Sequence, residues 1–215
     1  PQHPKKSEAR AALRLPGNKL IVALLPGSRR SEMHYMASPF VLAAHRFRQE
    51  VRDVHFVCPT VTRATRDMFE RALHQHERTD LPLTLLFGHS HDALAAADLA
   101  LVASGTATLE TALFKTPLVI AYRQSAITWR LMRSMLYLPY VGMPNILAGE
   151  RLVPELLQDD ATPEALAAAL LGLWRDKAAR ERQLARFHEF HQLLRQNTAE
   201  KAAEAVLEVL ERRNG

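Results

Sequence analysis

The residues best placed to do chemistry lie at the end of an apolar run, in Leu101–Glu110 (LVASGTATLE). The run Asp98–Val102 reads as a short buried strand, breaks at Ser104-Gly105, and gives way to a helix over Thr106–Phe114. A strand that turns tightly into a helix aims free backbone N–H groups outward, and the positive end of the helix dipole adds to their pull on an anion. Glu110 stands one turn further along, in i,i+4 register with Thr106, so both can face one ligand. A phosphate at the helix start and a sugar hydroxyl accepted by Glu110 is the arrangement a nucleotide requires. The plainer alternative is a capped helix whose Glu complements the dipole. A capping box fits poorly, because it places the acid three residues after the cap.

The elements around this stretch alternate. Lys19–Leu25 (KLIVALL) is a continuous apolar strand of the kind buried on both faces, and it runs into Pro26-Gly27-Ser28-Arg29, a second strand-to-glycine turn. Ser38-Pro39 supplies a helix start, with Ser at the cap and Pro at the first position. Strands follow at His55–Cys58, Leu83–Phe87 and Leu118–Tyr122, and helices at Thr62–His76 and His91–Ala97. This alternation predicts an α/β fold with a Rossmann-like parallel sheet and helices on both faces, and ligands bind such sheets outside the carboxyl ends of the strands. Both glycine turns fall on that edge.

Beyond Tyr122 the pattern changes. Ile127–Leu138 (ITWRLMRSMLYL) is apolar around most of its helical circumference, with Arg130 and Arg133 on one side. It suits a core helix, or else a helix resting on an anionic membrane surface. Tyr140–Glu150 reads as a Gly/Pro-containing loop, Leu152–Leu157 as a short helix, and Pro163–Trp174 as a helix capped by Thr162. Two charged helices, Ala178–Arg195 and Thr198–Arg213, close the chain. The expected organisation is a linker and entry helix over 1–18, a nucleotide-binding domain over 19–174, and C-terminal helices over 175–215.

Composition narrows the functional classes. The chain has 215 residues, 47% of them hydrophobic and 24% charged, as in a globular protein with a real core. Its net charge of +5 favours anionic partners, but its basic residues are dispersed without an aromatic-interleaved RNA-binding motif, so no nucleic-acid partner is expected. The single cysteine, Cys58, forms no internal disulfide and reads as a buried thiol in a reducing compartment, the cytoplasm. His89, His91 and Asp92 are close in sequence but lack a third ligand at helical spacing, so neither a metal nor another cofactor is expected. No apolar run reaches the roughly 18 residues of a membrane-spanning helix.

Three stretches together carry a family resemblance: LLPGSRRSE at Leu24–Glu32, ASGTATLE at Ala103–Glu110 and PNILAGERLVPELLQ at Pro144–Gln158. In this order and spacing they resemble the lipid-A-disaccharide synthase family, glycosyltransferases built from two Rossmann-like halves (the GT-B architecture). The resemblance covers the chain nearly end to end, but only with the family's C-terminal, donor-binding half, so the chain is expected to be a piece of something longer.

The resemblance implies an inverting hexosyl transfer. UDP-2,3-diacylglucosamine gives its sugar to 2,3-diacylglucosamine 1-phosphate, forming lipid A disaccharide 1-phosphate and UDP, without a metal. The leaving diphosphate then needs backbone N–H groups and a cation. Gly27, Ser28, Ser104, Gly105 and Thr106 can supply amides and hydroxyls, and Arg29, the expected catalytic residue, the fork-shaped cation. Glu110 would hold the ribose hydroxyls, and the backbone at Phe87-Gly88 would meet the uracil. Asn145 and Gln158 match family positions facing the donor. The family often has Gly-Arg-Glu where this chain has Gly149-Glu150-Arg151, which leaves Arg151 without an assigned role. The acceptor and the catalytic base would belong to the other half, a homodimer is compatible with the resemblance, and peripheral attachment to the inner membrane follows from lipid substrates. The alternatives are another GT-B UDP-sugar enzyme, such as a UDP-GlcNAc epimerase, and a non-catalytic UDP-binding module.

Overall fold

The computed structural model describes residues 5–135 and 139–195, with the backbone alone over 131–135. Six parallel strands make up its sheet: β1 (Leu20–Leu25), β2 (Val54–Thr60), β3 (Leu83–Phe87), β4 (Leu99–Ala103), β5 (Leu118–Tyr122) and β6 (Glu155–Leu157). Their order is β3-β2-β1-β4-β5-β6, so the chain reverses direction across the sheet between β1 and β4. That reversal separates the loops leaving the two strands and opens a crevice at their carboxyl ends.

Side-chain alternation along the strands builds two cores. Leu20, Val22 and Leu24 face one side of the sheet with Leu99, Leu101, Val119 and Ala121. Helices α2 (Arg30–Glu50), α3 (Arg63–Gln75) and α8 (Pro163–Arg175) cover that side, through residues such as Phe40, Phe47, Phe69 and Leu170. Ile21, Ala23 and Leu25 face the other side with Ala100, Val102 and Ile120. There they meet α4 (Ser90–Ala96), α5 (Thr106–Leu113) and α9 (Lys177–Leu194), the last through Phe187 and Phe190. The short helix α1 (Lys6–Ala12) is tied to the amino edge of the sheet by Asp98, whose Oδ2 accepts from Arg10 at 2.6 Å and from the Ile21 amide at 2.9 Å.

Three expectations need correction. Helix α2 begins at Arg30, and Pro39 lies inside it. Met33, Met36 and Ala37 are buried at helical spacing ahead of Phe40, so one apolar face runs through the proline, and its packing outweighs the local helix-start signal of Ser38-Pro39. The expected loop at Tyr140–Glu150 contains a helix, α7 (Met143–Ala148), ended by Gly149 in left-handed conformation. The expected short helix at Leu152–Leu157 is instead the edge strand β6, where Glu155–Leu157 pair with Ile120–Tyr122 of β5.

Helix α6 (Ala126–Met135) starts with Ile127 84% exposed, unlike a core helix at that position. The side chains of Arg133 and Leu138, and the helix expected over Thr198–Arg213, lie outside the described residues. Cys58 is fully buried, and burial pushes its thiol well above the ordinary range. Among the described residues no helix is long and apolar enough to cross a membrane, and no three His, Cys, Asp or Glu side chains converge as metal ligands would.

Candidate functional site

At the carboxyl edge, where the strand order reverses, lies a cleft of about 640 Å³. Its walls come from four strand ends: Leu25 to Glu32 after β1, Pro59 to Val61 at the end of β2, Phe87 to Ser90 after β3, and Ala103 to Glu110 across the start of α5. The expected site residues Gly27, Ser28, Arg29, Phe87, Gly88, Ser104, Gly105, Thr106 and Glu110 all line it.

The two glycine turns differ in how their donors are used. At the β1–α2 turn, Arg29 occupies the N-cap of α2 in extended conformation (φ −105°, ψ 151°). Glu32 folds back over the turn, and its Oε2 accepts from the Ser28 amide at 2.8 Å and from the Arg29 amide at 3.1 Å. Its Oε1 stands 3.5 Å from Nη1 of Arg29. Gly27 makes room for this return: at φ +130°, a Cβ there would lie 2.4 Å from the Glu32 Cβ. The Ser28 amide expected to hold phosphate therefore already holds a carboxylate.

At the β4–α5 turn the accounting is different. The Ser104 amide donates to the Ala121 carbonyl at 2.9 Å and serves the sheet. Gly105 is the N-cap of α5, and no side chain caps this helix. Thr108 turns both its hydroxyl, at 2.7 Å, and its amide, at 3.1 Å, to the Gly105 carbonyl, which leaves the first two amides of the helix open. Those donors and the dipole of α5 face the cleft beside Thr106 and Ala107.

Glu110 looks into the cleft one turn further along α5. His91, from α4, places its Nε2 3.7 Å from Glu110 Oε2, and its ring packs against Phe114 at 5.2 Å between centroids. Phe87, 62% exposed at the end of β3, and Val61, 58% exposed beyond β2, give the opposite rim an apolar surface suited to a base.

Asn145 and Gln158 are not among the lining residues. Asn145 is fully buried: its Nδ2 donates to the Val153 carbonyl at 2.8 Å and to Glu155 Oε1 at 2.7 Å, and its Oδ1 accepts from the Val153 amide at 2.8 Å. Glu155 also accepts from the amides of Val141 and Gly142. In this structure Asn145 braces α7 against Val153 and the start of β6. Gln158 accepts from the Gln124 amide at 3.2 Å, while its buried Nε2 has no hydrogen-bond partner. Tyr122 donates to Gln124 Oε1 at 2.9 Å; burial first, and then the charge of Glu32, hold its phenol above the ordinary range, with Arg29 opposing. Arg151 donates to the Glu155 carbonyl at 3.1 Å, a role in holding β6.

Sequence reasoning missed Glu32, Ser90 and the β2 end, Pro59 to Val61. For the β2 end a signal existed: every parallel strand delivers its carboxyl end to the same edge, so β2 had to contribute. For Glu32 the signal was its place three residues after the N-cap, the reach of a capping acid.

A family model for lipid-A-disaccharide synthetase matches residues 1–209 of the chain. A lipid-A-disaccharide synthase of Methylobacillus flagellatus is 50% identical over 207 residues, covering 96% of this chain and 55% of its own length. One from Dechloromonas aromatica is 52% identical over 211 residues, 98% of this chain and 55% of its own length. The chain thus spans about half the length of the curated relatives it matches. Among solved structures, a UDP-GlcNAc 2-epimerase from Neisseria meningitidis bound to UDP-GlcNAc superposes with a TM-score of 0.64 at 12% identity, over 94% of this chain and 49% of that one. The C-terminal domain of a glycosyl transferase group 1 family protein from Francisella tularensis superposes with a TM-score of 0.60 at 12% identity, over 91% of this chain and 96% of that one. At these identities the structural likeness concerns the fold, a Rossmann-like half of a GT-B protein.

Proposed function

The chain belongs to the lipid-A-disaccharide synthase family, and from that premise we propose that it is the part that binds the donor nucleotide, UDP-2,3-diacylglucosamine. The observation that carries the proposal is the pairing of open amides at the start of α5 with Glu110 one turn away, in a cleft whose far wall carries Arg29. The α5 amides would take a phosphate, Glu110 the ribose hydroxyls, and the Phe87–Gly88 edge the uracil. As the glycosidic bond breaks with inversion, negative charge grows on the diphosphate. A preorganised dipole and an arginine aimed at that charge stabilise the transition state more than the ground state. Arg29 has the freedom to do this, since its side chain is 80% exposed and tethered only loosely by Glu32.

We assign the acceptor sugar and the base that takes its proton to the part of these relatives that the chain does not match. Orienting an acceptor can contribute about 7–11 kcal/mol to a transfer, so this chain alone should bind UDP weakly and form no disaccharide. Calorimetric titration with UDP, UMP and single-stranded RNA tests the binding reading; saturable binding of UDP with no response to RNA is expected. Disaccharide formation from the two acylated sugars, followed by thin-layer chromatography, tests the other part. Turnover by the 215-residue chain at the rate of a full-length relative would overturn the division of roles.

A membrane contact has one observation in its favour. Ile127 is almost fully exposed at the start of α6, with Arg130 exposed one turn later. An exposed apolar side chain beside a cation suits the surface of an anionic bilayer. Co-sedimentation with anionic vesicles at low salt, lost on Ile127→Ser with Arg130→Glu, is the expected result.

A further inference from the structure

Glu32 has no place in the donor contacts assigned above, yet it occupies an anion seat in the cleft. Its carboxylate takes two backbone N–H groups, those of Ser28 and Arg29, and stands beside the Arg29 guanidinium. It lines the cleft, and its side chain is 24% exposed. Gly27 offers no space for a Cβ because Glu32 lies across it.

We propose that Glu32 is a specificity-determining residue, an internal anion that competes with the terminal phosphate of a bound nucleotide and makes the cleft discriminate against excess negative charge. The inference rests on the nucleotide reading of the cleft. With the Ser28 and Arg29 amides taken, a ligand meets open amides at Thr106 and Ala107, which line the cleft at the start of α5. A further phosphate reaching toward Arg29 has two options. It can displace the carboxylate, which then stands near the ligand without its two amide partners. Or it can remain outside and face a like charge. Either course costs affinity, more so with each ionisation the phosphate carries. The β-phosphate of a UDP-sugar is esterified to the sugar and so has one ionisable oxygen fewer than the terminal phosphate of free UDP. Glu32 therefore penalises the released nucleotide more than the donor and favours its departure after transfer, while offsetting part of the stabilisation that Arg29 gives the charge developing in the transition state.

The test is a charge series, UMP, UDP and UTP, titrated against the unchanged chain and against Glu32→Gln. Glutamine keeps an oxygen that can accept from the Ser28 and Arg29 amides and removes only the charge. We expect Glu32→Gln to tighten UTP about tenfold and UDP about threefold and to leave UMP within about twofold. A purely structural role would shift all three ligands by one factor. Equal shifts, or none, overturn the inference while the nucleotide reading stands. A complete lack of UDP binding by the unchanged chain would overturn both. A measurement that needs no variant keeps the idea falsifiable if Glu32→Gln fails to fold. The unchanged chain should bind UTP no more tightly than UDP despite the nearby arginine, and UTP affinity more than about tenfold higher would be fatal to it.

Discussion

The β1–α2 and β4–α5 turns share a plan and are used differently. Both lead from a buried parallel strand through glycine into a helix, and both open on one cleft. The first closes on itself: Glu32 returns from the first turn of α2 to satisfy the amides of Ser28 and Arg29. The second is left open at its first two amides, since α5 has no side-chain cap and Thr108 turns its hydroxyl to the Gly105 carbonyl. The shared plan yields taken amides ahead of α2 and open ones at the start of α5: Gly105 is itself the N-cap, whereas Gly27 stands two residues before the N-cap Arg29 and Glu32 folds back across it. Whether a strand–glycine–helix turn is a binding site depends on the side chains in its first helical turn as much as on its backbone.

The sharpest way to break this comparison is at the glycines. In Gly27→Ala, the added Cβ meets Glu32 at 2.4 Å on a backbone at φ +130°. The combined strain and overlap should cost about 3–5 kcal/mol of folding stability. At Gly105 a Cβ has nothing within 4 Å, although φ is +156°. Gly105→Ala should cost only the backbone strain, about 1–2 kcal/mol. Urea unfolding of both variants measures the gap, and equal losses would mean that Glu32 does not crowd the first turn.

Next in size is Arg29→Ala. Loss of a hydrogen bond between charged groups should weaken UDP binding by about 1.5–3 kcal/mol, with a smaller effect on UMP. Equal losses for the two ligands in calorimetry would show that Arg29 does not read the second phosphate. The smallest effect belongs to the open turn. Glu110→Ala should weaken UDP by about 1 kcal/mol, and Glu110→Gln by less, because the amide keeps one acceptor. Neither change should affect a 2′,3′-dideoxy analogue, which offers Glu110 no hydroxyl. Unchanged UDP affinity in both variants would remove Glu110 from the site.

Much of the fold was legible in the sequence because its strongest signals are local. KLIVALL reads as a strand buried on both faces, and Leu83–Phe87 and Leu118–Tyr122 occupy the expected residues. The edge carrying the two glycine turns followed from the alternation of strands and helices. Elements set by tertiary packing were less legible. Pro39 is a helix-start signal that a continuous buried face overrides, and β6 is three residues long, with its conformation imposed by β5. At the cleft, the residues next to the glycines line its walls as their place on the strand edge predicts, whereas Asn145, assigned to the donor by resemblance, turns its amide inward to Val153 and Glu155. The return of Glu32 over its own turn is likewise a matter of side-chain direction, which residue order leaves open.

The buried brace around Asn145 has a consequence for how this part of the molecule breathes. Glu155 holds the amides of Val141 and Gly142, and Asn145 holds that of Val153, so three backbone N–H groups outside any strand are bound by side chains rather than by a ladder. Asn145 Nδ2 also donates to Glu155 Oε1, which links the two acceptors, and the three amides are expected to open as one unit instead of three. In heavy water these amides should exchange together and slowly, as those of a strand do, while the exposed turn at Glu150 exchanges at once. Replacing Asn145 with Ala should bring all three to the rate of that turn, even though Val141 and Gly142 donate nothing to Asn145 itself.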